Sequence, residues 1–328
     1  MSNSIPVIDI SDFMAGSEKA LREVADQVHD ALTTVGFFIL TGHGVPQAKV
    51  DRTFAAAARL HDLPMAKKLD LKMNEHNNGY MAMGRYAITS VSNVADNDKP
   101  DLNEGFFIRR ERPADDPVYT SGRRFLGPNR WPDEADLPGF RADALDYIDT
   151  IEMFAQRFLP VAAVSLDLAP DWFAPFFAES YYSLRLNHYP PAEAEENQFG
   201  IAPHSDSNFL TFLPQSEIPG LQVRMPDETW LDVPYVHGSF AVNSGRILQR
   251  WSDGLFKATP HRAPPRLGGH RYAIPFFFGP FWDAAIECLP GCSGPDNPAQ
   301  WPPTTYGEML TDFYDANYDY KDQESAVA

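Results

Sequence analysis

The period of this chain changes after Ser180, and that change limits the fold more than any other feature. Beyond it come short runs rich in aromatic and aliphatic residues, at 181–189, 210–214, 221–224, 240–243, 247–251 and 271–278, each closed by turn residues. Strand-length segments at that spacing stack as a β-sandwich or barrel. The preceding half reads differently. Leu21, Val24, Val28, Ala31 and Val35 recur at helical spacing until Gly36 stops the run, and a short apolar strand follows at 37–41. Pro46 and Pro64 open two further helices, to about Leu60 and Met73, and 101–110 alternates as a strand. Phe140, Ala144, Ile148, Ile151, Ala155, Phe158 and Ala162 trace one face of a long helix, and Pro170 starts a short one that ends near Ser180. An edge strand is expected at 5–10, an irregular segment at 77–100, and a closing helix at 305–318.

Composition bounds the partners. With 44% hydrophobic and 22% charged residues, the 328-residue chain can bury a sizeable core as one large or two small domains. A formal net charge of −18 argues against a nucleic-acid backbone or an anionic membrane as partner, while leaving room for a small anion beside a local arginine. No basic-plus-apolar leader and no long apolar span is read, so a soluble cytoplasmic protein is the expectation. The two cysteines, Cys288 and Cys292, lack the further ligands that a zinc site needs.

His204-Ser205-Asp206 carries the chemistry. In an extended segment, residues two apart share a face, so His204 and Asp206 can grip one ion, and His261 arrives 55 positions later. Two imidazoles and one carboxylate leave coordination positions open and suit non-haem Fe(II), whereas Zn(II) more often takes three or four tighter ligands. A lone His-x-Asp is weak and more often marks a surface loop. Here it lies between Asn187-His188-Tyr189-Pro190-Pro191 and Gly220-Leu221-Gln222-Val223, with Pro260-His261-Arg262 and Arg271-Tyr272-Ala273 downstream.

In that order the motifs resemble the isopenicillin N synthase-like family of Fe(II)/2-oxoglutarate dioxygenases. Ile5-Pro6-Val7-Ile8-Asp9 and the stretch from Gly36 to Pro46 extend the resemblance over nearly the whole chain. The resemblance implies a mainly β fold with flanking α: a double-stranded β-helix, or jelly roll, with the N-terminal helices packed on its outer face. It implies one domain, 1–328, comprising a largely helical support region (1–180), a jelly-roll core with the metal site (181–285) and a C-terminal segment and helix (286–328). His204, Asp206 and His261 would hold Fe(II). Arg271 would pair with the distal carboxylate of 2-oxoglutarate through its planar fork, beside Tyr189, with Asn187 near the metal-bound end. O2 and 2-oxoglutarate would be consumed, succinate and CO2 released, and a small molecule hydroxylated, desaturated or cyclised.

Two positions depart from the family. Its Arg-x-Ser is Arg271-x-Ala273, which removes one hydroxyl donor, and its Gly-Asp turn is Gly245-Arg246. The first keeps open a 2-oxoglutarate-independent oxidase of the isopenicillin N synthase type. A silent binding protein on the same fold is a further alternative, against which the intact triad speaks. For the substrate, Arg85 is read as a carboxylate binder or else an exposed side chain. Phe209, Leu213, Phe277 and Trp282 are read as an apolar wall, though packing alone also accounts for them.

Overall fold

The computed structural model describes residues 4–84 and 99–317. The nine-residue strand Tyr181–Tyr189 organises it, pairing antiparallel with Glu104–Arg109 on one side and with Phe276–Gly279 and Arg271–Ala273 on the other. The nine-stranded sheet runs in the order Val7–Asp9, Phe37–Thr41, Phe240–Ser244, Leu210–Pro214, Phe276–Gly279, Tyr181–Tyr189, Glu104–Arg109, Gly79–Met81, with Arg271–Ala273 as a branch. Strands from the N-terminal third therefore extend the same sheet that the later strands build.

Alternation along these strands sorts the residues onto two faces. Phe38, Phe106, Ile108, Tyr182, Leu184, Leu186, Phe212, Val242, Phe276 and Phe278 share the large apolar core with Ile148, Ile151, Ala155 and Phe158. Those last four lie on the helix Phe140–Val164, so this is the outer, helix-covered face. Ser183, Arg185, Asn187 and Tyr189, offset by one residue, border cavities on the inner face instead. A four-stranded sheet faces it, in the order Ile201–His204, His261–Ala263, Gln222–Arg224, Trp230–Asp232. A smaller apolar cluster, with Phe37 and Ile39 from the large sheet and Val223 from the small one, joins the two. The result is the two-sheet jelly roll, not closed into a barrel.

The helix Glu18–Thr34 is capped by the Ser17 hydroxyl, which accepts from Ala20 N at 3.3 Å. It ends at Gly36, whose φ of 76° is left-handed and whose Cβ, if it had one, would sit 2.3 Å from Thr259 Oγ1. Two strand expectations are corrected. Residues 247–251 belong to the helix Arg246–Trp251, in which Ile247, Leu248 and Trp251 are buried at helical spacing. Its first N–H groups donate to Asp206 O and Asn208 O at 2.8 and 3.1 Å, which fixes the helix onto the metal-site loop. The stretch 271–278 is two strands, because Pro275 has no N–H for a ladder and breaks the run. Among the described residues no helix is long and apolar enough to cross a membrane.

Candidate active site

His204 ends one strand of the small sheet and His261 begins its neighbour, in direct register. Their rings lie 4.4 Å apart between centroids. Each Nδ1 is tied to a backbone carbonyl two residues back, Ala202 O at 2.8 Å and Thr259 O at 3.2 Å, leaving both Nε2 atoms turned to the same point. Asp206 follows in the loop, with Oδ1 3.8 Å from His204 Nε2 and 3.7 Å from His261 Nε2. Its other oxygen, Oδ2, accepts from Thr211 Oγ1 at 2.6 Å and Asn243 Nδ2 at 2.8 Å, both on the large sheet. One carboxylate oxygen is thus anchored and the other is left for an ion.

Protonation suits a cation. Burial and the neighbouring His261 push His204 down to about 3, so its ring is neutral near pH 7. Burial pushes Asp206 up, but the two histidines and the hydrogen bonds from Asn243 and Thr211 outweigh it and hold the carboxyl below its ordinary value. Two imidazoles and a carboxylate oxygen within 4.8 Å of one another fit a divalent metal with positions to spare. The described residues contain a second such trio, His61, Glu104 and His188. There the Lys68 ammonium lies 2.8 Å from Glu104 Oε2 and the Tyr80 phenol donates to the same oxygen, so a cation already occupies the carboxylate. Of the two, the first trio is the one free to take a metal.

Two cavities meet at His204 and Asp206, with Arg185 and Phe277 on their shared wall. One, of about 560 Å³, is bordered by Asn187, Tyr189, His261, Arg271 and Ala273. Arg271 is paired in register with Tyr189, and its guanidinium lies 4.7 Å from the Tyr189 ring centroid. It is 6% exposed, and among the described residues its Nε and Nη1 find no partner; neither does Asn187 Oδ1. Gly220 lets the guanidinium lie close, since a Cβ there would come within 2.7 Å of Arg271 Nε. A buried cation with donors to spare, beside the metal point, fits a dicarboxylate that reaches from one to the other.

The second cavity, of about 580 Å³, lies on the other side of Asp206. It is walled by Arg109, Tyr181, Ser183 and Phe277 of the large sheet and by Tyr306, Leu310, Phe313 and Tyr314. Those four lie along the C-terminal helix Tyr306–Asn317, which covers the cavity with one face.

The substrate residues read from sequence fare unequally. Phe277 borders both cavities and Leu213 the first. Phe209 borders neither. It is fully buried against Phe173, Phe177 and Trp251, and is corrected to a core residue: the loop before its strand turns the ring into the helices. Arg85 lies outside the described residues, and Arg246 borders neither cavity. Missed altogether were Thr211 and Asn243, which hold Asp206, and Arg109, although strand alternation from Gly105 to Arg109 could have flagged the last.

The comparisons with known proteins agree with this geometry. Residues 181–280 match the 2OG-Fe(II) oxygenase superfamily, and residues 5–134 the N-terminal region described as non-haem dioxygenase in morphine synthesis. The chain is 33% identical over 320 residues to a 2-oxoglutarate-Fe(II) type oxidoreductase of Emericella nidulans, covering 95% of this chain and 90% of that one. It is 34% identical over 283 residues to a 2-oxoglutarate-dependent dioxygenase of Monascus ruber, covering 84% of each. In structure it is similar to a full-length Neurospora crassa protein solved in complex with alpha-KG and thymine, at a TM-score of 0.82 and 28% identity, covering 95% of this chain and 96% of that one. The chain belongs to the isopenicillin N synthase-like Fe(II)/2-oxoglutarate dioxygenases and is an oxygenase of small molecules that uses iron, 2-oxoglutarate and O2.

Proposed function

We propose that His204, Asp206 and His261 hold the catalytic iron, that Arg271, Tyr189 and Asn187 hold 2-oxoglutarate, and that residues 1–328 work as one catalytic domain. The observation that carries this reading is one cavity containing both the convergent donor trio and a buried arginine with unpartnered N–H groups. Bound iron supplies the redox chemistry by which O2 is reduced at the expense of 2-oxoglutarate and substrate. The chain's own residues position and exclude. Nδ1 hydrogen bonds fix both imidazoles, and Thr211 and Asn243 fix the carboxylate. Arg271 sets the direction of the co-substrate, and Phe37 and Leu213 keep that cavity apolar on one side. The absent serine at 273 removes one hydrogen bond but leaves the charge, so 2-oxoglutarate is still bound. The burial of Asp206, His261 and Arg271 and the net charge of −18 favour a small molecule over a nucleic acid.

Anaerobic Fe(II) titration with and without 2-oxoglutarate tests this through the weak visible charge-transfer band of the chelate. The band is expected in wild type and absent from His204→Ala, Asp206→Ala and His261→Ala, each of which keeps its fold. A variant of the trio with an undiminished band would strike that residue from the ligand set.

A further inference from the structure

Across the large sheet, one register row runs Phe37, Asn243, Thr211, Phe277, Ser183, Arg109. Asn243 and Thr211 hold the metal-site carboxylate, so the row leads from the metal point into the second cavity and ends on Arg109. Three strand spacings separate Thr211 from Arg109, roughly 14 Å of sheet. Arg109 is 2% exposed. Among the described residues it has no carboxylate partner: Nη2 donates to the Tyr314 hydroxyl at 2.9 Å, while Nε and Nη1 are buried without partners. The rings of Tyr181, Tyr314 and Phe125 surround the guanidinium at 5.1, 5.4 and 5.9 Å from their centroids. Aromatic faces hold a cation in place yet satisfy none of its in-plane N–H donors.

We infer that the second cavity binds an organic acid as the primary substrate, its carboxylate on the free edge of Arg109 and its apolar or ring-bearing body between Phe277 and the C-terminal helix. This rests on the metal and co-substrate reading above, but on a different arginine in a different cavity. The wall fits such a body, because Tyr181, Phe277, Tyr306, Leu310 and Phe313 are all apolar over most of their surface. A carboxylate would supply the planar pair of acceptors that the surrounding rings cannot. The helix Tyr306–Asn317 would close over it, tied to the sheet by the Arg109–Tyr314 hydrogen bond.

The test uses full-length protein loaded anaerobically with Fe(II), titrated calorimetrically with and without 2-oxoglutarate. The probes are benzoate, phenylacetate, 3-phenylpropionate and 4-phenylbutyrate, each against its primary amide. At least one acid is expected to bind saturably in the presence of 2-oxoglutarate and about tenfold or more tighter than its amide, the scale of one hydrogen bond to a charged group. Arg109→Gln should bring acid and amide together, and Arg109→Lys should restore part of the preference. A merely structural arginine would alter melting temperature in both variants without touching the acid-to-amide ratio. Should Arg109→Gln fail to fold, the wild-type ratio and Arg109→Lys decide. Failure of every acid to bind, a wild-type ratio near one, or a preference that survives in Arg109→Gln overturns the inference. Loss of the chelate band in wild type would instead overturn the co-substrate reading.

Discussion

Replacing Arg271 by methionine separates a ligand-holding arginine from a structural one. The substitution keeps an unbranched apolar stem against the Tyr189 ring and removes a guanidinium whose Nε and Nη1 have no partner among the described residues. Two hydrogen bonds to a charged carboxylate are worth about 1.5–3 kcal/mol each, so 2-oxoglutarate should bind about 10²- to 10⁴-fold more weakly. With 2-oxoglutarate at about 100 times the wild-type Kd, binding stabilises the wild type by about 2.7 kcal/mol. In a chain of this size that raises Tm by about 4 °C. For the variant at the mild end of the range, the same concentration is about one Kd, which stabilises by about 0.4 kcal/mol and shifts Tm by about 0.6 °C. Without 2-oxoglutarate the variant should melt no lower than wild type, because the charge removed is buried without an opposite partner among the described residues. Thermal melts in anaerobic Fe(II), with and without 2-oxoglutarate, give both quantities. If the variant keeps more than half of the wild-type shift, or melts several degrees lower without ligand, Arg271 braces the sheet and the reasoning fails.

Further outcomes are expected at neighbouring positions. Ala273→Ser restores a hydroxyl beside Arg271 and should tighten 2-oxoglutarate binding by about tenfold, measured by calorimetry; no gain would show that another group already fills that role. Thr211→Val and Asn243→Leu each remove a donor to Asp206 Oδ2 and should weaken Fe(II) binding by about 10- to 100-fold in anaerobic titration. The double variant should lose less than the sum, because both act on one oxygen. At Glu104, burial pushes the carboxyl up, but the His188 ring at 2.7 Å, the His61 ring at 3.3 Å and the Lys68 ammonium at 2.8 Å outweigh it and hold the group well below its ordinary 4.5. A carboxyl so depressed adds stability that is complete above pH 4.5 and drains away as pH falls below it. Glu104→Gln strands the Lys68 ammonium and should cost about 3–5 kcal/mol at pH 7. Urea melts should show the gap from wild type narrowing below pH 4.5, and a gap independent of pH would contradict the depressed carboxyl.

Strands whose alternation is bounded by turn residues were legible. The elements Phe37–Thr41, Tyr181–Tyr189 and Leu210–Pro214 fall where period and punctuation put them. The helix Arg246–Trp251 was not, because six residues with apolar positions at 247, 248 and 251 satisfy neither period decisively. Its conformation is set from outside, by carbonyls of the Asp206 loop that take its first N–H groups. Phe209 misled for a related reason: it abuts the His-x-Asp motif in sequence, yet its ring packs among Phe173, Phe177 and Trp251.

Residue type and local spacing by themselves put His204 and Asp206 on one face and marked the switch from helix to sheet after Ser180, while His261 as their partner and Arg271 with its missing serine neighbour were read from the family resemblance. The first two are properties of donor chemistry and of periods two and 3.6, which short stretches of chain carry intact. Tertiary structure decided what depends on register between strands distant in sequence. It set Thr211 and Asn243 on the back of Asp206, split the interior into two cavities, and carried one row of the sheet from the metal point to Arg109. Alternation says that Arg109 shares a face with Gly105 and Phe107, but which face looks inward, and what lies opposite, is fixed only when the sheets stack.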